Sequence, residues 1–507
     1  MLVFEPNYTR IVSSVRKNLG ITQSVVEVKL QANEEDVKEV FSIGAKSGIV
    51  KSELSGNEIS FVGLIDFQAM VGSSVMGMSA IDYSAEFKDK YLADNEIRGE
   101  VVLTSNVVDV TTSIVSNGIK VVAIVEVIID IIESNDVNVL TSVSGDVETS
   151  TRELEYMTYM GKATEKFDVS DEIILSGASK IYMVTPCVSL FEVTPKDNFA
   201  VISGMLNLDI CYGKGEDIND ITTHNHVTNF TWEVALDEMK DNSYVQSLLS
   251  IISNEIKVST SIDGDGANLN VVVPINYMGF VFNKNCITII DDIYSKTNFM
   301  SLTSEKVDVL ENKSSIKIKD NVSGVATISD NAPFIDDVLG VSTNNIVLAS
   351  SRIESGVITV EGIANSTVLY YTKETGSVTS AQVEMPFVVE QKVEGCESGI
   401  VTMCLNDLCA KSRRGKEIEV SAELNIYTDI YSINNLCVVS EVNMGEEKPI
   451  DDCSLYIYIV KPNQTLWDIA KEMSVSEEMI IEQNPDIQLP LSAGAKLVVY
   501  NPKIMMF

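Results

Sequence analysis

Repetition within the chain constrains its fold more than any other feature. Three times a run of strand-forming residues carries a glycine and then continues: Ile59-Ser-Phe-Val-Gly63-Leu-Ile65, Ala200-Val-Ile-Ser-Gly204-Met-Leu206 and Ile358-Thr-Val-Glu-Gly362-Ile-Ala364. Each is followed by an extended segment with an aromatic residue, Tyr83 to Phe87, Asn229 to Trp232 and Val383 to Phe387. Each copy then reaches a turn glycine, in Asn117-Gly118, Asp265-Gly266 and Arg414-Gly415, and a further apolar run. A pattern repeated in order at similar spacing reads as one supersecondary unit copied three times. Glycine weakens a strand interior, so its recurrence predicts a bulge or a close backbone approach. Asn-Gly and Asp-Gly suit tight type I′ hairpins, and Arg-Gly suits a looser one.

Between these landmarks the chain is rich in short alternating or continuous β-branched runs, the signature of strands. The expected fold is therefore mainly β: three tandem antiparallel β-sandwich or barrel-like repeats over residues 26–140, 141–300 and 301–450. A small α+β unit of βααβ order follows over residues 453–503. Residues 1–25, with Arg10, Arg16 and Lys17, read as an N-terminal extension that can be helical. Glu133-Ser-Asn-Asp136 and Glu446 to Asp452 read as linkers. The one helix expected inside the repeats is Ser243 to Glu255, where Val245, Leu248, Leu249 and Ile252 fall on one side.

The C-terminal unit is legible residue by residue. Leu455 to Lys461 is β-branched and aromatic, hence a strand, and Pro462-Asn463 breaks it. Thr465 and Asp468 stand as N-cap and capping-box partner, ahead of Leu466, Ile469, Ala470 and Met473 at helical spacing. Ser476 caps a second helix with Glu477 and Glu478 in its first turn, and Asn484-Pro485 stops it. Gly494 turns the chain into a last strand, Leu497 to Tyr500.

This stretch resembles a LysM module, the carbohydrate-binding domain of bacterial cell-wall proteins. The resemblance implies a shallow groove between two loops, here Pro462, Asn463, Gln464, Thr465 and Leu466 on one side and Pro485, Asp486 and Ile487 on the other. The family usually has Gly-Asp-Thr where this chain has Asn463-Gln464-Thr465, so an altered loop conformation is expected. With Tyr458 and Val460 facing the core, Ile457 and Ile459 face outward. An apolar strip beside the groove suits a protein partner. Ile459, Lys461 and Trp467 complete the predicted contact surface, with Trp467 either a packing residue or a contact anchor.

Composition sets limits on partners. The net charge of −36 argues against nucleic acid or an anionic lipid surface, since both need neutralising Lys and Arg. The most apolar run, Ile119 to Ile132, is broken by Lys120, Glu126 and Asp130, so no membrane span is expected. The sequence opens without a basic and apolar secretory pattern. Its eight cysteines form no Cys-x-x-Cys pair, which predicts reduced thiols in a cytosol.

The residue clusters tested for chemistry predict no catalytic residue, no metal and no cofactor. His224 and His226, the only histidines, read as a polar strand entry rather than a ligand pair. Gly213-Lys-Gly215 lacks the spacing of a phosphate loop. Asp263-Gly-Asp-Gly266 reads as a hairpin turn, because Pro274 stands where a calcium loop needs glutamate. No serine or cysteine has a positioned histidine partner.

The repeats resemble SPOCS (spore coat-associated) domains, best matched by Val383-Glu-Met-Pro-Phe387. SPOCS repeats followed by one LysM module are similar to the layout of the clostridial SipL-type spore morphogenetic family. That resemblance implies a non-enzymatic protein of the mother-cell cytoplasm, at the forespore surface. Its LysM end would recruit or hold the ATPase of the coat basement layer, among other coat proteins. The alternative is a protein that binds peptidoglycan or cortex N-acetyl sugars through the same module.

Overall fold

The computed structural model describes residues 4–500 except 32–36, 74–76, 216–219, 236–238, 252–254, 264–265, 330–331, 395–396 and 450–454. The chain begins in β1 (Glu5–Gln31), whose alternating buried positions include Ile11, Val15, Val26 and Leu30. The expected N-terminal extension is thus a strand, held along its length by pairing with β6. The first unit continues with β2 (Val37–Ser55), β3 (Glu58–Ser73), β4 (Gly77–Leu92), β5 (Glu100–Val115) and β6 (Gly118–Ser144). Its strands make two three-stranded sheets, ordered β2-β3-β4 and β1-β6-β5. A single buried cluster draws on both, with Ile59, Phe61 and Phe87 from one and Leu30, Leu103, Ile119 and Val125 from the other.

The same plan returns twice. The second unit holds β7 (Val147–Ser176), β8 (Lys180–Lys196), β9 (Phe199–Gly213), β10 (Ile221–Ala235), β11 (Tyr244–Ile251), β12 (Lys257–Asp263) and β13 (Gly266–Ser295). The third holds β14 (Asn298–Thr327), β15 (Asp337–Glu354), β16 (Val357–Thr372), β17 (Ser377–Lys392), β18 (Glu397–Arg413) and β19 (Glu417–Glu447). Meanders β8-β9-β10 and β15-β16-β17 correspond to β2-β3-β4, and the long pairs β7–β13 and β14–β19 correspond to β1–β6. In the second unit alone the penultimate strand is in two pieces, β11 and β12, both paired with β13.

The recurring glycines sit at equivalent points. Gly63 faces Phe87, Gly204 faces Phe230 and Gly362 faces Phe387 across the meander. On the other side each faces a strand that slips register at that point, between Ile49 and Lys51, Leu190 and Glu192, and Leu348 and Ser350. A bulge therefore accompanies the glycine in every copy, as the sequence predicts.

Two other expectations are corrected. The helix predicted over Ser243–Glu255 is strand β11 through Ile251, because its apolar residues pair with β13 rather than face a helix neighbour (residues 252–254 lie outside those described). Glu133 to Asp136 is no linker but part of β6, paired with Val12 to Val15. The second expected linker lies partly outside the described residues.

The units also share cores. One cluster joins Val15, Val102 and Ile132 with Met157, Tyr244, Phe280 and Phe282 and with Leu310, Ile400 and Tyr431, from all three units. A second joins Ile11 and Val137, Leu154 and Ile289, and Val307 and Val438. The three long strand pairs therefore pack around a common axis as one body. The sulfurs of Cys187 of β8 and Cys404 of β18 lie against each other where the second and third units meet. No helix among the described residues is long and apolar enough to cross a membrane.

The last unit is β20 (Leu455–Ile459), α1 (Leu466–Met473), α2 (Glu477–Gln483) and β21 (Lys496–Tyr500), with β20 and β21 antiparallel. Its core is Val460, Leu466, Ile469, Ala470, Val475, Ile480, Leu497 and Val499.

Candidate functional site in the C-terminal domain

The loop from β20 to α1 is held by its own polar groups. Thr465 caps α1: its Oγ1 accepts from Asp468 N, while Asp468 Oδ2 accepts from Thr465 N at 2.8 Å. Those bonds hold the Asp468 carboxyl below the usual aspartate range. Asn463 adopts φ 63°, the left-handed conformation. Asparagine tolerates it better than most residues, so the loop is built here without the glycine.

Gln464 is a strut. Its Oε1 accepts from Lys461 N at 3.1 Å, and its Nε2 donates to the Tyr458 hydroxyl at 2.6 Å and to Glu472 at 3.1 Å. Tyr458 in turn donates to Glu472, which with Lys461 at 3.3 Å keeps that carboxyl below the ordinary glutamate range. On the opposite loop, the Asn484 and Gln483 side chains pair with the backbone of β21 at Val498 and Tyr500, covering its edge. The sequence marks Asn484 only as a helix stop. An amide side chain one residue past a helix and facing a strand edge is the signal that was there to read.

The two loops meet around a shared core. Val460 N donates to Ala495 O at 2.9 Å and Gly494 N to Val460 O at 2.8 Å, and Leu466 and Ile487 pack in the same cluster. Pro462, Asn463, Thr465, Pro485 and Asp486 are exposed around them, with Lys461 and Ile459 alongside. Leu466 is buried and Ile487 half-buried, both packed in the domain core beneath the groove.

Residues 458–499 match the family model for the LysM domain. They are a LysM domain. The match includes none of the three preceding units, and comparison with curated proteins and with solved structures gives no match. A LysM domain suggests binding to the N-acetyl sugars of peptidoglycan.

Two features of this LysM domain bear on what it can contact. The outward face of its sheet is mostly apolar, with Leu455, Ile457, Ile459 and Val498 all exposed beside Lys496; Ile457 is 70% accessible and stands opposite Val498. Leu455 and Val498 extend the strip beyond Ile457 and Ile459. By contrast, Trp467 is committed to the body. Its Nε1 donates to Asp292 Oδ2 at 2.8 Å and its ring meets Tyr294 edge-on at 5.0 Å. Lys471 bonds both oxygens of Asp292, and the Tyr294 hydroxyl donates to Val475 O at 2.6 Å. Of the two roles predicted for Trp467 the structure gives it packing, and the domain docks through its helical side with the groove and sheet face left outward.

The histidine pair lies on β10. His226 bonds Asp171 of β7 at 2.8 Å, and Thr228 donates to the same carboxylate. Burial and the neighbouring His226 lower the His224 pKa.

Proposed function

We propose that this chain is a non-enzymatic spore-envelope assembly adaptor. Its β body acts as a rigid platform, and its LysM domain holds a protein partner, the ATPase of the coat basement layer, at the forespore surface on the mother-cell side. The observation that carries this reading is the exposed strip of Leu455, Ile457, Ile459 and Val498 beside the groove. Branched apolar side chains on a solvent-facing sheet mark a protein contact better than a sugar site, which needs convergent polar groups. Docking through Trp467 and Lys471 supports it further, since a fixed domain presents that strip in one orientation. The strongly acidic chain favours a partner surface with basic character.

The test is capture of the purified ATPase by the full chain and by the Ile457→Glu, Ile459→Glu double variant. Loss of capture from a folded variant supports the adaptor; unchanged capture removes the strip from the interface.

A second reading, peptidoglycan binding through the groove, is favoured by the LysM match. Sedimentation of the full chain with purified peptidoglycan separates the two. Pelleting that survives the strip glutamates but is lost on substitution of the exposed groove residues Pro485 and Asp486 marks a LysM glycan binder; the adaptor shows no groove-dependent pelleting.

A further inference from the structure

The three units contact one another cyclically, and one of the three junctions is open. Between the third and first units, Asn345 of β15 donates to Val107 O of β5 at 3.2 Å. Between the second and third, Asn207 donates to Leu405 O of β18 at 2.8 Å beside the Cys187–Cys404 pair. In both, the penultimate strand of one unit lies on the second strand of another. Asn345 and Cys187 occupy the same register point, opposite Asn365 and Asn207, and its counterpart in the first unit is Lys46, opposite Asp66. At that junction the penultimate strand of the second unit is the divided pair β11 and β12. A cavity of about 630 Å³ lies there, between the β2-β3-β4 meander, the start of β8 and the residues Ile256, Val258 and Thr260.

Its size falls within the roughly 300–1,000 Å³ of small-ligand pockets. Its walls carry Lys46 and Lys180 against Asp66 and Asp82, two charges of each sign, in a chain that is strongly acidic as a whole. The polar groups are positioned by neighbours. Gln68 donates to Asp82 at 3.0 Å and accepts from Thr185 at 3.0 Å, Ser84 donates to Asp66, and Lys46 donates to Pro186 O. An ammonium has three donors and a carboxylate about four acceptor sites, so these contacts use only part of the capacity. Tyr83 and Tyr182 add aromatic faces, with the Lys180 ammonium 4.8 Å from the Tyr182 ring centre.

We propose that this junction cavity binds a neutral saccharide of one or two rings. Hydroxyls would bond to Asp66, Asp82 and Gln68, a sugar oxygen would accept from Lys46, and C–H faces would lie on Tyr83 or Tyr182. Charge balance disfavours singly charged ligands, since a free anion meets two carboxylates and a free cation two ammonium groups; among ligands with both donors and acceptors, the Tyr83 and Tyr182 faces favour a saccharide over a compact zwitterion.

The experiment titrates the full chain calorimetrically with N-acetylglucosamine, glucose and their β-linked disaccharides. Tyr83→Ala and Asp82→Asn, both at solvent-reaching positions, are compared with the Ile457→Glu, Ile459→Glu variant of the LysM face. Saturable binding of at least one sugar, weakened tenfold or more by the cavity variants and unchanged by the LysM variant, is the expected result. Burial lowers the Lys46 pKa to about 8, so an anion in the cavity would draw a proton onto it at pH 8–9. Repeating the titration with acetate and phosphate in buffers of differing ionisation heat detects that uptake. Proton-linked anion binding in the cavity, sugar binding that ignores the cavity variants, or no sugar binding at all overturns the proposal.

Discussion

The ring of Phe87 lies where a side chain at Gly63 would be: a Cβ built on that glycine comes within 2.2 Å of ring carbon Cζ. Phe230 fills the same space over Gly204 and Phe387 over Gly362, at 2.5 Å in each case. The glycine and the aromatic are thus one device used three times, the ring covering backbone that the missing side chain leaves bare. The copies differ in what else is near. The three nearest atoms at Gly63 all belong to Phe87, whereas the Ser189 carbonyl oxygen lies 2.7 Å from the built Cβ at Gly204 and that of Val347 lies 2.3 Å away at Gly362.

A ring can rotate aside and a bulged backbone cannot. Gly63→Ala should therefore cost about 1–3 kcal/mol, the usual range for overpacking, with Gly204→Ala and Gly362→Ala at the top of that range or beyond. Denaturant midpoints of the three variants check this. Equal losses would mean that the carbonyl contacts do not matter.

Asp292 should govern how the LysM domain sits on the body. It accepts from the Trp467 indole and from Lys471, and its removal leaves both donors facing an apolar methyl. Hydrogen bonds to charged groups are worth roughly 1.5–3 kcal/mol, so Asp292→Ala should weaken docking by about that much. In a Trp232→Phe background Trp467 is the only tryptophan, and its emission should shift red and become more accessible to acrylamide. Unchanged emission would show that the Tyr294 contacts suffice.

Local chemistry made the C-terminal domain readable in advance. Thr465 with Asp468, Ser476 and Gly494 are short-range signals, and caps act within a few residues. The strand glycines were legible for the same reason, although their aromatic partners lie a hairpin away. Residues 5–25 were misread because Arg10, Arg16 and Lys17 resemble a solvated tail. Their partners Asp136, Asp130 and Glu133 are more than a hundred residues distant. The misread helix at Val245, Leu248 and Leu249 has a similar origin, since its apolar spacing follows the helical period and only pairing with β13 overrides it. Trp467 could not be assigned from its own domain, because Asp292 and Tyr294 belong to another.

Asn463 gives the groove loop a simple test. Its φ of 63° costs an ordinary residue about 1–2 kcal/mol and glycine essentially nothing. Asn463→Ala should destabilise the LysM domain by about that amount and speed hydrogen exchange across residues 460–466. Asn463→Gly should leave both nearly unchanged. If alanine is tolerated as well as glycine, the left-handed turn does not shape the groove.

Asp429 should make the stability of the body depend on pH in an unusual direction. It lies opposite Ser315 on β14, whose hydroxyl donates to its Oδ1 at 2.6 Å, as Asn18 donates to Asp130 at 2.7 Å in the first unit. Asp130 also binds the Arg16 guanidinium directly, whereas Asp429 is fully buried beside Tyr244 and Tyr427, and burial pushes its pKa up to about 7. An unfolded aspartate titrates near 3.9, so folding favours the protonated form. The site's stabilisation is complete below about pH 4 and is lost as pH rises through 7, a change on the order of 4 kcal/mol for three pKa units. Asp171, Asp308 and Glu423 are shifted the other way and lose their contribution as pH falls below the usual carboxylate range. Asp429→Asn removes the first effect and leaves the second. The variant should be more stable than the parent at pH 8 and no more stable at pH 4.5, as read from denaturant midpoints at the two values. A difference that is the same at both would mean that Asp429 keeps one charge state throughout, with Arg16 near enough to hold it ionised.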